Sequence, residues 1–402
     1  MERKISTPSL LLLIVLVGFP QISETIYTPS LPDIADHLHA SSNVIQLTLS
    51  IYFLGFALGV FCWGRLSDSI GRRPALLWGI LVYGAGSLGC TLSDSAEWLL
   101  ASRFLQAFGA STGSVVTQTI LRESIDGARR HAVFAQISAA LAFTPAIGPL
   151  IGGWIDQGFG FRAVFIVLVV MSGAIFIYTF VSLPETKVTA ATKIHTLAVA
   201  KRLVADRRIW AFGFLIGATN GILFSYYAEA PFIFIEFFQM KPGLFGFLGI
   251  FVAMASIFGA MLSKKLLTRL QAERIILIGS MVTTLGAACL MGLALCKMAP
   301  SMPFLALMDA CIFILLLGIG MAIPNCLSLA LIHYKDVLGT AGAIFGLGYY
   351  LVVSLITSGM SYLHNGSLLT MPMYFLVLAV IMALVSHRLA SHERRYEPFS
   401  GT

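Results

Sequence analysis

The chain has 402 residues, of which 57% are hydrophobic and only 11% are charged. Soluble domains carry about 25% charged residues, so this composition excludes a soluble globular protein and indicates a protein of the lipid bilayer. A helix that crosses the hydrocarbon core needs about 20 apolar residues, so the chain has room for about twelve crossings and almost nothing else. An enzyme with a separate catalytic domain outside the membrane is therefore not expected.

Apolar segments recur along the whole chain and predict an all-α membrane protein with twelve transmembrane helices. The predicted spans are roughly 9–31, 43–64, 75–93, 97–120, 132–155, 162–183, 209–235, 243–263, 274–296, 303–324, 337–362 and 371–389. They form two six-helix bundles, at 1–186 and 209–402, which a cytoplasmic linker at 187–208 connects. Apolar and basic residues alternate at helical spacing over 196–208, which favours a helix lying on the membrane surface.

The distribution of basic residues predicts how the chain is oriented. If both termini lie in the cytoplasm, all but four of the 26 Lys and Arg residues fall on the cytoplasmic side. Arg162, Lys241 and Lys297 fall outside, and Arg103 lies within a span. Because cytoplasmic loops carry an excess of Lys and Arg, we interpret the net charge of +7 as a topology signal and not as a sign of nucleic-acid binding.

Other residue types give no sign of a metal, redox or nucleotide site. Arg3 and Lys4 before an apolar run resemble the start of a signal peptide, but no small-x-small cleavage site follows, so an uncut first helix is expected. The six cysteines lie in or at the ends of spans and form no CxxC pair, which favours small buried hydrophobes. The histidines form no ligand cluster, and no GxxxxGKS or GxxxxGKT phosphate loop occurs. We expect an ion gradient as the energy source and no cofactor.

The most densely charged connection, GRLSDSIGRRP at 64–74, lies between spans two and three. Asp68 is able to accept hydrogen bonds from Arg72, or from free amides at the start of a neighbouring helix, where the dipole favours an anion. Gly71 permits a tight turn, and Pro74 suits the first turn of the next helix. Alternatively, the arginines here only set the topology.

Span five combines glycine and proline in its last part. Gly148 and Gly152 form a small-xxx-small face that lets two backbones approach closely. Pro145 and Pro149 each remove an intrahelical hydrogen bond. The pattern predicts a bent, closely packed helix.

Ionisable residues within spans are candidates for function. They cost about 2.5–3.5 kcal/mol at mid-bilayer on insertion scales, so they usually face a cavity. Glu24, in span one, is followed by Tyr27 and Pro29. Because burial favours the protonated form of a carboxyl group, Glu24 is a candidate proton site for which a substrate cation competes. The alternative is a structural acid near the outer interface.

Further candidates lie in spans four, seven and ten. Glu229 follows Tyr226 and Tyr227, whose rings are suited to stack on a flat or cationic substrate or to join an interfacial aromatic belt. Arg103 is a basic group of the kind that holds a nearby carboxylate ionised until a proton or substrate arrives, and Asp309 lies at a similar depth. Faint repetition between the halves, with acids before prolines in spans one and seven, is typical of secondary transporters.

The chain resembles the major facilitator superfamily, and within it the twelve-span drug:proton antiporters of the bicyclomycin/chloramphenicol-resistance group. The superfamily pattern in the loop after span two is matched at Gly64, Leu66, Asp68, Gly71, Arg72, Arg73 and Pro74. The span-four pattern is matched at Arg103, Gln106 and Gly109, and the antiporter pattern of span five at Gly148, Pro149, Gly152 and Gly153. The family's acid before the span-one proline stands one residue later than Glu24, at Thr25.

The resemblance implies two pseudo-symmetric six-helix bundles around a central cavity, which work by alternating access. It implies that the loop around Asp68 fastens the halves in the outward-facing state, that span five seals the route between them, and that Arg103 takes part in proton transfer. It also implies a bacterial inner-membrane protein that binds small molecules within the bilayer and works as a monomer.

The expected function is multidrug efflux, the proton-coupled export of small hydrophobic or cationic compounds that include antibiotics in this family. A transporter of one metabolite or siderophore is the first alternative. A non-transporting membrane sensor or scaffold is the second, and the complete motif at 64–74 together with the buried acids argues against it.

Overall fold

The computed structural model of the protein describes residues 8–124, 143–186, 196–296, 298–334 and 337–393, with five residues between 125 and 142. In these ranges the regular structure is helical. The predicted linker residues 187–195, most of the start of the predicted fifth span, Lys297 and both chain ends lie outside the described residues.

Seven α-helices are described before the linker. They are α1 (Leu10–Thr25), α2 (Leu31–His37), α3 (Ser42–Ile70), α4 (Arg72–Thr91), α5 (Ala96–Ser124), α6 (Thr144–Phe159) and α7 (Phe161–Ser182). A 3₁₀ turn at Thr28–Ser30 joins α1 to α2. Gly71 and Gly160 end α3 and α6 with φ angles of 103° and 76°, which glycine adopts without strain, so the next helix begins at the following residue.

The second part of the chain begins with a short amphipathic helix and continues with six long ones. They are α8 (Thr196–Ala205), α9 (Arg207–Pro231), α10 (Pro242–Leu266), α11 (Ala272–Leu295), α12 (Met302–Ala330), α13 (Leu338–Leu363) and α14 (Thr370–Glu393). After Pro231 the chain widens into a π-helical segment, Phe232–Phe237. Proline lacks an amide hydrogen, and such a widening accommodates the missing bond.

Ten helical segments of the described residues are long and apolar enough to cross a membrane. Two of them combine elements, namely α1 with α2 and α9 with the π-helical segment. α5 and α6 are not among the ten; α5 carries charges that include Arg103, and α6 has 16 described residues. These two helices lie where spans four and five are predicted, so the all-α membrane fold agrees with the sequence, while the count of twelve stays a prediction.

The connection at 64–74 is almost entirely helical, although the sequence suggests a loop. α3 extends through Ile70, and α4 begins at Arg72, so only Gly71 leaves the helical conformation. Asp68 of α3 and Arg72 of α4 form an ion pair with N–O distance 2.5 Å across the break at Gly71. The charges therefore stand on helix ends and not on a free loop.

The helices pack into two halves, one before and one after the linker. In the first half α5 packs along α3 and α4, and in the second half α12 packs along α10 and α11. The halves meet mainly along two helix pairs, α3 with α13 and α6 with α10. We call the end of the bundle at which α3 passes into α4 the Arg72 end, and the opposite end, where α13 finishes near the start of α3, the His364 end.

Candidate functional site

Arg103 of α5 is the centre of a buried polar cluster in the first half. Its side chain is fully buried, and its guanidinium carbon lies 3.9 Å from the ring centre of Tyr27 and 4.3 Å from that of Tyr52. Both rings are fully buried as well. Contacts of a cation with aromatic faces partly replace the lost hydration, which explains how a charge is tolerated here.

Only part of the hydrogen-bonding capacity of Arg103 is used. Nη1 donates to Oε1 of Gln106 and, at 3.5 Å, to the carbonyl oxygen of Ser23, and Gln106 in turn donates to Ser87 at 2.8 Å. Nε and Nη2 have no hydrogen-bond partner among the described residues. Since buried donors are normally paired, these two are available for an anion or a polar group that enters the cluster.

Glu24 lies in the last turn of α1, and its side chain is buried. It makes no hydrogen bond or ion pair within the described part of the chain, but the charge of Arg103 acts on it. Its own charge acts on Tyr52 of the first half and on Tyr350 of the second. Glu24 is therefore a carboxyl group at the junction of the two halves that has no partner among the described residues.

The end of α1 is held by the glycines of α6. A Cβ atom at Gly148 would lie 2.1 Å from Thr25 Oγ1, and one at Gly152 would lie 1.6 Å from the carbonyl oxygen of Ile26. On another face of α6, a Cβ at Gly153 would lie 2.3 Å from the Pro242 carbonyl oxygen of α10. The glycine and proline pattern thus packs α6 directly behind Glu24 and against the other half.

Aromatic side chains from both halves surround the junction. The ring centres of Phe53 and Phe224 are 4.4 Å apart, and those of Phe56 and Tyr350 are 4.8 Å apart. Towards the Arg72 end, a cavity of about 120 Å³ lies between α5 and α13. Its lining includes Ser114, Gln118, Thr119, Gly346, Tyr349 and Tyr350. Polar groups and aromatic faces suited to a small organic molecule therefore meet between the halves.

Glu229 joins the two halves at the His364 end. Its carboxylate accepts a hydrogen bond of 2.7 Å from Gln46 Nε2 of α3 and lies 2.8 Å from Nδ1 of His364, which follows α13. Asn43 of α3 donates to the carbonyl oxygens of Ser361 and His364, both at 2.7 Å. We call these contacts of Asn43, Gln46, Glu229 and His364 the clamp.

A half-open cavity leads to the clamp. It has a volume of about 250 Å³ and is lined by Glu229, Glu236 and His364 among others. Burial disfavours the charged form of His364, but the hydrogen bond that its ring donates to Glu229 and the negative charges of Glu229 and Glu236 outweigh burial and raise the pKa of His364 above its ordinary value. The closed clamp therefore favours a positively charged His364 beside Glu229.

Tyr226 and Asp309 form a separate pair in the second half. Tyr226 is buried with its ring 5.6 Å from that of Tyr227, and Asp309 is half-buried and acts electrostatically on Tyr226. Neither side chain is hydrogen-bonded to Glu24, Arg103 or Glu229 in the described ranges. The six sequence candidates therefore fall into three groups, and Tyr27 shares a group with Arg103 and Glu24.

The charged residues of the connection at 64–74 form a network at the Arg72 end. Arg72 binds Glu123 of α5 through two nitrogens, at 2.6 and 3.0 Å, in addition to Asp68. The Glu185 carboxylate accepts hydrogen bonds from the backbone amides of Arg72 and Arg73, at 3.0 and 3.2 Å, and so caps α4. Among the described residues, the hydrogen-bond and ion-pair partners of Asp68 and Arg72 belong to the first half, so this network does not join the halves here.

Several of these residues were not singled out by sequence reasoning. Gln46, Asn43 and His364 are polar residues near span ends, and nothing in their own neighbourhoods points to Glu229. Glu123 lies about five and a half helical turns beyond Arg103, near a predicted span end, where acids are common. Their partners are distant in sequence, so only the packing of the halves identifies them.

The sequence and the fold have counterparts among known proteins. The family model for the Major Facilitator Superfamily matches residues 13–357. A protein of Rickettsia bellii (strain RML369-C) named as an uncharacterized transporter is 34% identical over 380 residues, which are 92% of this chain and 94% of that protein. The chloramphenicol resistance protein of Pseudomonas aeruginosa is 29% identical over 360 residues, or 89% of this chain and 84% of that protein. The crystal structure of a D-xylose–proton symporter superposes with a TM-score of 0.75 at 13% identity, covering 93% of this chain and 96% of that one.

Proposed function

Because the chain belongs to the Major Facilitator Superfamily, and is thus a multi-pass membrane transporter and not an enzyme, we propose that it exports small hydrophobic or cationic compounds in exchange for protons. The family resemblance drawn from the motifs is confirmed, and so is the all-α fold class. The proton as coupling ion, the direction of transport and the substrate belong to the proposal. The name of the Pseudomonas aeruginosa relative supports an antibiotic among the substrates.

One observation carries the proposal: Glu24 is a buried carboxyl group at the junction of the halves, without a hydrogen-bond or ion-pair partner in the part of the chain that the structure describes, and the charge of Arg103 acts on it. When ionised, Glu24 is attracted to Arg103, and this attraction is strong because a buried site screens charges poorly. When protonated, Glu24 is neutral and the attraction is lost. The site therefore has two charge states that differ in how they hold α1 against α5.

Competition between a proton and a substrate cation for the Glu24 carboxylate is sufficient to couple their movements in opposite directions. A substrate cation that enters between the halves is stabilised by the Glu24 carboxylate and by the aromatic faces of Tyr52 and Tyr350. A protonated Glu24 does not attract it, so substrate binding and proton binding exclude each other. The protein changes between its outward-facing and inward-facing states with either a proton or a substrate cation bound at Glu24, so the proton and the substrate move in opposite directions. A proton gradient then drives export of the substrate.

The two ends of the bundle play different parts in the proposed cycle. We place the Arg72 end and both termini in the cytoplasm, because the basic residues cluster there. The clamp then closes the outer end. In this state the network of Asp68, Arg72 and Glu123 forms no hydrogen bond or ion pair with the described residues of the second half. In the proposed outward-facing state the clamp opens and the cytoplasmic ends meet. Residues 1–186 and 209–402 are the proposed moving units, 187–208 is the linker, and a single copy in the bacterial inner membrane suffices.

Export is tested in a host that lacks its own efflux pumps. Cells that produce the protein are grown against a panel that includes chloramphenicol and ethidium, and everted membrane vesicles are assayed for uptake with and without a proton gradient. We expect resistance and gradient-dependent uptake for at least one compound, both lost in Glu24→Gln. Glu97→Gln, an exposed acid in the first turn of α5, is the matched control. Absence of gradient-dependent transport for every compound contradicts multidrug export.

A further inference from the structure

We propose that a basic cavity at the Arg72 end of the second half binds the headgroup of an anionic phospholipid. The cavity has a volume of about 610 Å³ and lies between the start of α9 and the end of α14. The start of α11 contributes Glu273 to its lining. Glu229 of the clamp lies at the other end of α9, and the proposal does not depend on which solute is transported.

Charge is unbalanced around the cavity. Three arginines line it, Arg207, Arg208 and Arg388, against one acid, Glu273. Arg208 Nη2 donates to Glu273 Oε1 at 3.3 Å, so this pair is largely neutral. Arg207 and Arg388 are exposed and form no ion pair with any described residue. Two guanidinium groups therefore remain at the mouth, and their planar forks suit the oxygens of a phosphate group.

The inner wall of the same cavity is apolar. Phe214 of α9 and Val385 and Leu389 of α14 contribute to this wall. Such a wall offers no partner to a hydrated ion, but it is suited to the hydrocarbon chains of a lipid whose headgroup lies among the arginines. Basic pockets between transmembrane helices on the cytoplasmic side are suited to anionic headgroups for this reason.

Neighbouring side chains place the cavity at the level of the membrane interface. Trp210 lines it, is 61% exposed, and donates from Nε1 to the carbonyl oxygen of Val204 at 2.8 Å, which ties it to α8. α8 buries Val199 and Leu203 while Leu197 and Val204 are exposed. Exposed tryptophan and an amphipathic helix with exposed apolar residues are typical of the zone between headgroups and hydrocarbon.

The cavity chemistry selects one occupant. A soluble anion would satisfy the arginines and leave the apolar wall uncovered, whereas a zwitterionic lipid would cover the wall but bring no net charge. The helix N-terminus is not the attracting group, because the Asp206 side chain already accepts the amide hydrogen of Arg208 at 2.8 Å. An anionic glycerophospholipid pairs its phosphate with the arginines at the mouth and covers the apolar wall with its hydrocarbon chains.

Lipid binding is tested with the full-length protein in nanodiscs of phosphatidylcholine that contain increasing fractions of phosphatidylglycerol. Thermal unfolding of the wild type is compared with that of the double variant Arg207→Gln/Arg388→Gln. Lys264→Gln/Lys265→Gln, which removes the same charge from exposed residues at the end of α10, is the control. We expect phosphatidylglycerol to raise the melting temperature of wild type and control, and its apparent affinity for the double variant to be roughly tenfold weaker.

Two further measurements separate lipid binding from a loss of folding and from binding of a soluble phosphate. Melting temperatures in pure phosphatidylcholine establish that the variants are folded, and Arg388→Gln alone replaces the double variant if that one is unstable. Soluble glycerol 3-phosphate should give no protection. Equal protection of the double variant and the wild type by phosphatidylglycerol, or equal protection by glycerol 3-phosphate, overturns the proposal.

Discussion

The guanidinium carbon of Arg103 lies 3.9 Å from the ring centre of Tyr27, although the two residues belong to different helices, α5 and α1. This contact brings the end of α1, and with it Glu24, close to a buried positive charge. We expect Arg103→Lys to retain the charge but lose most transport, because an ammonium group lacks the planar fork that spans the Tyr27 and Tyr52 rings and Gln106.

The size of this effect follows from the burial of the site. A desolvated cation–aromatic contact is worth about 2 kcal/mol, so we expect a loss of at least tenfold in the initial rate of vesicle uptake, with the amount of inserted protein unchanged. Arg65→Lys, at an exposed arginine that also lies over an aromatic ring, is the control. Wild-type rates in Arg103→Lys would show that only the charge matters.

The clamp should be sensitive to pH through His364. Its pKa is raised in the closed clamp, so protonated His364 favours closure fully below its ordinary pKa of about 6.5, and this contribution is lost as the pH rises through the raised value. Positions 41 and 362 lie on the two sides of the clamp, so we expect the distance between spin labels at these positions to increase as the pH rises through the raised pKa of His364. His364→Gln should abolish this step, and a step that persists in the variant rules out His364 as its source.

Gln46 is expected to stabilise the same clamp independently of pH. Gln46 donates a hydrogen bond to the buried Glu229 carboxylate, and a hydrogen bond to a charged group contributes about 1.5–3 kcal/mol to the stability of the arrangement that contains it. Gln46→Ala should therefore shift the spin-label distances towards the open form at every pH. Ser42→Ala, at a half-buried residue outside the clamp, should leave the distribution as it is. An unchanged distribution in Gln46→Ala contradicts the role of Glu229 in closure.

Two glycines of α6 provide a matched test of the close approach behind Glu24. A Cβ at Gly152 would lie 1.6 Å from the Ile26 carbonyl oxygen, whereas one at Gly158 would meet nothing within 4 Å. We expect Gly152→Ala to destabilise the protein by about 1–3 kcal/mol, since the end of α1 must move, and to impair exchange. Gly158→Ala should be close to wild type in melting temperature and transport. Similar values for the two variants would show that α6 does not position Glu24.

The charge network at the Arg72 end gives an asymmetric prediction. Asp68 is 62% exposed at its side chain, and Arg72 keeps Glu123 as a partner when Asp68 is changed. Asp68→Asn should therefore cost less than about 1 kcal/mol of stability and still impair transport, if Asp68 serves the outward-facing state. Arg72→Gln should lower the melting temperature more, because it leaves Glu123 without its cation. Full transport by a well-folded Asp68→Asn protein contradicts the gating role.

Much of the fold and part of the site were predictable from the sequence. Apolar segment lengths predict membrane helices because the bilayer fixes how many residues a crossing needs, and Arg103 and Glu24 stand out because charges are rare in such segments. The clamp was not predictable, since Gln46 and His364 lie 183 and 135 residues from Glu229 and meet it only when the halves pack. The extension of α3 to Ile70 was missed because polar residues in a helix beyond the bilayer look like a loop.

Proton movement caused by substrate tests the central claim most directly. Purified protein is reconstituted into proteoliposomes that contain a pH-sensitive dye, and a substrate identified by the growth panel is added to one side without an imposed gradient. We predict that the wild type and Glu97→Gln move protons opposite to the substrate, whereas Glu24→Gln moves none. Substrate-driven proton movement in Glu24→Gln at the wild-type rate would contradict the assignment of Glu24 as the exchanging group.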